Sequence, residues 1–160
     1  MTEFLLPMDF ADEDQNITSD DFYTPPHIFE SLGLDFDTDP CQPKGGVSWI
    51  PVKKYYTIET DGLAHDWIGR VWLNPPYSNP TPWIHRFIEH ANGITLVQTS
   101  RARFFDKLWL TADGIVMTPY NFRFMTPSGV AAQIFMPTAL IAYGADNVKA
   151  LGNLGFGRVR

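Results

Sequence analysis

Val71-Trp72-Leu73-Asn74-Pro75-Pro76-Tyr77 is a short apolar run that ends in an amide, two prolines and an aromatic ring, with Ser78-Asn79-Pro80 following. Consecutive prolines fix φ and withhold a backbone N–H, so neither a helix nor a ladder continues through them. The stretch reads as a buried strand, Arg70–Leu73, entering a rigid turn. In an open α/β sheet, ligands bind in the crevice outside the carboxyl ends of the strands, and Asn74 stands at such an end. From average residue usage, Asn-Pro-Pro-Tyr should arise by chance on the order of once in a thousand chains of this length.

The flanking segments alternate between helical and extended patterns. Thr24 followed by Pro25 predicts a helix start, a hydroxyl cap with proline in the first turn. That helix runs through Ile28, Phe29 and Leu32 and stops at Gly33. Leu34-Asp35-Phe36-Asp37 is strand-like, with Leu34 and Phe36 inward. Residues 39–57 are rich in Pro and Gly and predict a loop with a short strand near Lys53–Thr57. Thr81-Pro82 repeats the helix start, and Trp83, Ile84, Phe87, Ile88 and Ala91 mark one helical face.

Ile94–Gln98 is the next strand, Phe104–Leu110 the next helix and Gly114–Met117 a further strand. Phe122–Met125 and Ile134–Tyr143 flank a Pro/Gly turn and predict a closing C-terminal β-hairpin. Strands alternating with helices predict an α/β fold with a mostly parallel sheet. Residues 22–160 form one domain in this reading, with no internal repeat.

The turn has a specific chemical use. An exocyclic amine such as that of adenine is a poor nucleophile because its lone pair is delocalised into the ring. Two acceptors aimed at its protons draw the nitrogen toward a tetrahedral, more nucleophilic state. The side-chain oxygen of Asn74 is one such acceptor. The Pro75 carbonyl is the other, and Pro76 has no N–H to compete for it. Tyr77 offers a face on which a base stacks, worth roughly 1–3 kcal/mol.

These residues resemble the signature of amino-group methyltransferases that use S-adenosylmethionine. More narrowly, the chain resembles the phage-type DNA N6-adenine methyltransferases of the Dam family. The resemblance runs from about Tyr23 to Gly144. It rests on Tyr23-Thr24-Pro25, Phe36-Asp37-Thr38-Asp39, Asp61-Gly62-Leu63 with Trp67, Val71 to Ser78, and Phe122-Arg123-Phe124.

The resemblance implies a Rossmann-like methyltransferase fold with helices on both faces of the sheet, S-adenosylmethionine as cofactor, and DNA as partner. Asn74, Pro75, Pro76 and Tyr77 would be catalytic. Thr24, Pro25, Asp37, Asp39, Asp61 and Leu63 would hold the cofactor, with one of Asp37 and Asp39 sufficing to face it. Asp61 would accept from the adenine amine of the cofactor and Leu63 would pack on its ring. Tyr77 and Phe124 would hold the flipped base, and Arg101 and Arg103 would meet DNA phosphates. One departure is visible: Asp39-Pro40-Cys41 resembles the start of the family's cofactor loop, but Pro43-Lys44-Gly45-Gly46 stands where Gly-x-Gly is usual.

Two other readings share the same residues. Asn-Pro-Pro-Tyr also occurs in enzymes that methylate a protein glutamine, and the altered loop would suit a DNA-binding module without activity.

Net charge is −6, which argues against a nucleic-acid partner only until its distribution is read. Residues 1–21 hold seven of the eighteen acids and no Lys or Arg, so they predict an acidic, flexible tail. Residues 22–160 carry twelve basic against eleven acidic residues. Cys41 is the single cysteine, and His27, His65, His85 and His90 share no metal spacing. Methyl transfer needs no metal. No run approaches the roughly 20 apolar residues that span a bilayer, and the start lacks the basic region of a signal peptide. The expectation is a cytoplasmic protein of a bacterial cell or phage-infected host, with oligomeric state open between monomer and homodimer.

Overall fold

The structure, a computed structural model, describes residues 19–133 and 136–160. The acidic leader read over residues 1–21 lies, up to residue 18, outside the described residues.

Six strands form the main sheet: β1 (Phe36–Asp39), β2 (Val52–Tyr55), β3 (Val71–Leu73), β4 (Gly93–Gln98), β5 (Gly114–Met117) and β8 (Thr138–Tyr143), in the order β2-β1-β3-β4-β8-β5. Pairings from β2 to β4 are parallel, and β8 runs antiparallel to both neighbours. The fold is therefore α/β with a mostly parallel, mixed sheet.

Helices cover both faces, and strand alternation decides which residues they meet. On one face Phe36, Trp72, Ile94, Leu96, Val116, Leu140 and Ala142 pack with Ile28, Phe29 and Leu32 of α1 (Pro26–Leu32) and Ala150 and Leu151 of α4 (Ala145–Leu151). On the other, Val71, Leu73, Val97, Ile115 and Ile141 pack with Ile84 and Phe87 of α2 (Thr81–His90) and Phe104 and Leu108 of α3 (Arg103–Thr111). Trp72 is fully buried, with its ring edge-on to Phe29 (4.7 Å) and Phe36 (5.7 Å). Burying such a ring contributes a few kcal/mol, on the order of 3.

The topology positions the crevice. From β1 the chain goes outward to β2, then crosses back to place β3 on the other side of β1 and β4 beyond it. That reversal between β1 and β3 is a switch point, where parallel sheets open a ligand crevice at their carboxyl ends. Thr38 lies opposite Val71, so Asp39 and Asn74 leave the sheet at the same edge.

Several local expectations change. Thr24 does not cap α1: the first helical bond, from Ile28 N–H, is accepted by Pro25, which holds the cap position. Pro26 follows, and a residue before proline is pushed to extended backbone; Pro25 obeys at φ −70, ψ 155. Likewise Ile84 N–H reaches Pro80, so Thr81 lies inside α2. Gly33 does end α1, at φ 65 with its N–H on Phe29. Ala91 is not on the apolar face of α2; it is exposed and left-handed at the helix end.

The expected hairpin is also redrawn. Phe124–Met125 (β6) pairs with Ala131–Ala132 (β7) in a separate two-stranded sheet, while Thr138–Tyr143 enters the main sheet between β4 and β5. All six β8 residues are buried, as befits a strand covered on both faces.

Candidate active site at the carboxyl ends of β1 and β3

Asn74 follows β3 directly, and its side chain is oriented by the backbone. Its Nδ2 donates to the Phe22 carbonyl at 2.9 Å. That bond consumes a donor and turns Oδ1 away from Phe22, free to accept. Among the described residues no donor reaches Asn74 Oδ1 or the Pro75 carbonyl. The turn then closes through Asn79 N–H to Pro76 O at 3.2 Å. Two acceptors from consecutive residues thus follow β3 at the switch-point edge, in a segment with little freedom.

Tyr77 is half-buried, and its hydroxyl lies wholly inside without a hydrogen-bond partner among the described residues. Burial pushes its pKa upward, so it stays a neutral phenol. It lines a cavity of about 160 Å³ with Pro75, Pro80, Gln98 and Phe104. Phe124 is 1% exposed, with its ring against Phe22 (6.1 Å) and Phe122 (4.9 Å). It lines a different cavity, about 440 Å³, with Tyr120, Gln133 and Met136. The two rings expected to hold one base therefore line separate cavities.

The segment from Asp20 to Pro25 connects these parts. Asp20 accepts from Ser78 N–H (3.0 Å) and Ser78 Oγ (2.5 Å). Tyr23 pairs antiparallel with Met125 of β6. Thr24 is 1% exposed; its carbonyl accepts from Trp49 Nε1 at 2.8 Å, and its hydroxyl is buried without a partner among the described residues. A buried hydroxyl without a partner is a group that a ligand can satisfy.

Asp37 and Asp39 prove unlike. Asp37, at the amino end of β1, accepts from Arg70 N–H (2.8 Å) and pairs with Lys53 (3.0 Å). The Arg70 N–H, and after it Lys53, hold its carboxyl below the usual range. Asp39, at the carboxyl end, is 1% exposed and accepts from Cys41 N–H (3.1 Å) and Gln42 Nε2 (3.0 Å). Burial pushes its carboxyl up to about 7 despite those bonds. Gln42 in turn accepts from Val47 N–H at 2.8 Å, so Asp39 organises the loop that lacks the usual glycines. The Cys41 thiol is pushed to about 12 by burial, with Asp39 and Asp20 adding to it.

Asp61 begins a short 3-10 turn (Gly62–Ala64), accepting from Leu63 N–H at 3.1 Å. Its second carboxylate oxygen is uncommitted among the described residues. Leu63 is half-buried against the α2–α3 cluster. The turn abuts the loop after β1 so closely that a Cβ on Gly62 would stand 1.9 Å from the Pro40 carbonyl. Arg86 of α2 secures it, donating to the carbonyls of Leu63 (2.5 Å) and His65 and lying 5.0 Å over the Trp67 ring. Arg101 and Arg103 are exposed just beyond β4.

Thus Asn74, Pro75, Thr24, Asp39, Asp61 and Leu63 are linked around one edge, and Asp37 stands apart at the other. Sequence reading missed Asp20, Phe22, Gln42, Trp49 and Arg86. Each acts through contacts that spacing does not encode; only the polarity of Gln42 in a Pro/Gly loop hinted at a role.

The model of the DNA N-6-adenine-methyltransferase (Dam) family matches residues 11–118. The chain belongs to that family. The match takes in β1 to β5 and the whole switch point, and it ends before Phe122-Arg123-Phe124 and β8. Over 61 residues the chain is also 39% identical to the DNA N-6-adenine-methyltransferase of Haemophilus phage HP1 (strain HP1c1). That similarity takes in 38% of this chain and 34% of the phage protein, so it spans about a third of that relative's length. The Dam-family match covers about two thirds of the chain and includes Asp39, Asp61 and Asn74. Among the described residues no helix is long and apolar enough to cross a membrane.

Proposed function

We propose that this Dam-family chain transfers a methyl group from S-adenosylmethionine to N6 of adenine in DNA, on a Rossmann-like methyltransferase fold. The observation that carries the reading is the Asn74–Phe22 bond, which supports Asn74 Oδ1 as an acceptor at the switch point beside a Pro75 carbonyl that no donor reaches among the described residues. When bound, S-adenosylmethionine supplies the methyl group on a sulfonium that an amine nitrogen attacks.

The residues present fit that cofactor. Thr24 offers an unpartnered buried hydroxyl, Asp61 an uncommitted carboxylate oxygen for an amine, and Leu63 an apolar surface for a ring. Asp39 shapes the adjoining loop through Cys41 and Gln42. Asp37 is committed to Arg70 and Lys53 and is not assigned to the cofactor.

On the substrate side, the adenine leaves the duplex at a cost of a few kcal/mol. Its amine donates to Asn74 Oδ1 and the Pro75 carbonyl, which favours the tetrahedral nitrogen that develops on attack. Losing one such preorganised group typically costs about 3–4 kcal/mol of barrier. The exposed Arg101 and Arg103 stand where they can meet phosphates.

Incubation with labelled S-adenosylmethionine and genomic DNA, followed by nucleoside analysis, tests the reading. Label in N6-methyldeoxyadenosine is expected, and Asn74→Ala should lose it while retaining cofactor binding. Label in protein glutamine instead, or no cofactor binding at all, would replace the reading by one of its rivals.

A further inference from the structure

Three of the bonds that fix the Asn-Pro-Pro-Tyr turn come from one three-residue stretch. The Phe22 carbonyl takes Asn74 Nδ2 across 52 positions, and the Asp20 carboxylate takes both the N–H and the hydroxyl of Ser78 across 58. Ser78 and Asn74 bracket the turn, so the stretch grips it at both ends. The grip is anchored on one side by the Phe22 ring, 4% exposed and packed against Phe124, and on the other by Tyr23, which pairs with Met125. Asp20 itself is exposed and contacts the turn through Ser78.

The mechanical consequence follows from the chain. Two prolines make Asn74–Tyr77 stiff, so displacement at Ser78 is transmitted to the Pro75 carbonyl rather than absorbed between them. The Asp20 side chain holds Ser78 at two points, its N–H and its hydroxyl, which fixes the residue's orientation as well as its place. Removing it frees the downstream end of the turn while the Phe22 bond still holds the upstream end. Reacting groups misplaced by about 1 Å can cost ~100-fold in rate.

We propose that Asp20 is a positioning residue for methyl transfer, holding the Asn-Pro-Pro-Tyr turn through Ser78 so that Asn74 Oδ1 and the Pro75 carbonyl converge on one amine. This rests on the amine-methylation reading above and extends it to a residue outside the turn. Phe22 and Asp20 then form a two-point strap, one point setting the amide's rotation and the other the turn's position.

The test uses full-length Asp20→Ala, Asp20→Asn and Ser78→Ala. Asparagine keeps an acceptor for Ser78 N–H and a donor for Ser78 Oγ, so it should restore what alanine loses. For Asp20→Ala, kcat should fall ~10- to 100-fold with the KM for DNA and cofactor affinity unchanged; Asp20→Asn should stay near wild type. Asp20→Ala and Ser78→Ala should be non-additive when combined.

The Asn74 side-chain amide resonances, assigned by their loss in Asn74→Ala, give a readout independent of turnover. They should shift or broaden in Asp20→Ala and return in Asp20→Asn. An unchanged kcat in Asp20→Ala, a loss matched by an equal loss of folded protein, or unmoved Asn74 resonances would overturn the proposal. A wild-type protein without methyl transfer would instead count against the functional reading, with the resonances still deciding the strap.

Discussion

Asp37 and Asp39 lie two residues apart on β1, yet their carboxyls are displaced in opposite directions. Asp37 is held low, first by the Arg70 N–H and then by Lys53, while burial pushes Asp39 up to about 7. The same strand thus carries one carboxylate that favours charge and one that resists it.

Stability should follow pH with opposite signs at the two positions. Asp39 has a folded pKa above its unfolded value near 3.8. Its contribution is fully present below about pH 4 and is lost as pH rises toward 7. Asp37, with a folded pKa below that value, contributes above pH 4 and loses its contribution on further acidification. Thermal unfolding of wild type, Asp37→Asn and Asp39→Asn from pH 4 to 8 measures this. Relative to Asp39→Asn, wild type should gain stability as pH falls from 7 to 4. Relative to Asp37→Asn, its advantage should be flat across that range and shrink below it.

Gly62 and Pro40 predict a steric effect on the loops proposed to hold the cofactor. A methyl at Gly62 would meet the backbone carbonyl oxygen of Pro40 at 1.9 Å, so a loop must move. Overpacking of this kind typically costs about 1–3 kcal/mol. Gly62→Ala should lower thermal stability and weaken S-adenosylmethionine binding measured by calorimetry, because Asp61, Leu63 and the Asp39–Gln42 loop flank the clash. Gly152→Ala is the control: a methyl there would meet no atom within 4 Å and its φ is −63, so both readouts should match wild type.

The arginines beyond β4 predict a salt effect. Each phosphate contact contributes about 0.9 to the slope of log K against log salt on duplex DNA. Arg101→Ala with Arg103→Ala should therefore reduce that slope by about 2 and weaken binding on all sequences alike. An unchanged slope in a filter-binding or anisotropy titration would return both residues to ordinary solvated surface.

Much of this architecture is legible from local patterns because local chemistry decides it. Proline pairs stop a strand wherever they occur, so the β3 turn and Asn74's place at its end follow from residues 71–77 alone. Gly33 ends α1 because its left-handed backbone favours glycine. The cap of α1 moved from Thr24 to Pro25 because Pro26 drives the residue before it to extended backbone. The partner of β6 could not be read, since period-two alternation in Phe122–Met125 suits either neighbour. Long-range partners were hidden altogether: nothing near Asn74 names Phe22, and nothing near Leu63 names Arg86. Those bonds exist only once the sheet has brought distant segments to one edge.

Tyr77 separates the ring from its hydroxyl. The hydroxyl is buried with no partner among the described residues, so it carries a desolvation cost of about 1–3 kcal/mol without a compensating bond. Tyr77→Phe removes that cost and keeps the ring, so it should leave thermal stability equal or raised and methyl transfer largely intact. Tyr77→Ala removes the stacking surface, worth roughly 1–3 kcal/mol, and enlarges the cavity shared with Pro75 and Phe104. It should lower both activity and stability. A Tyr77→Phe protein that melts well below wild type would mean that the hydroxyl holds the turn through a bound water, and Gln98 and Ser100, which line the same cavity, would be the residues to substitute next.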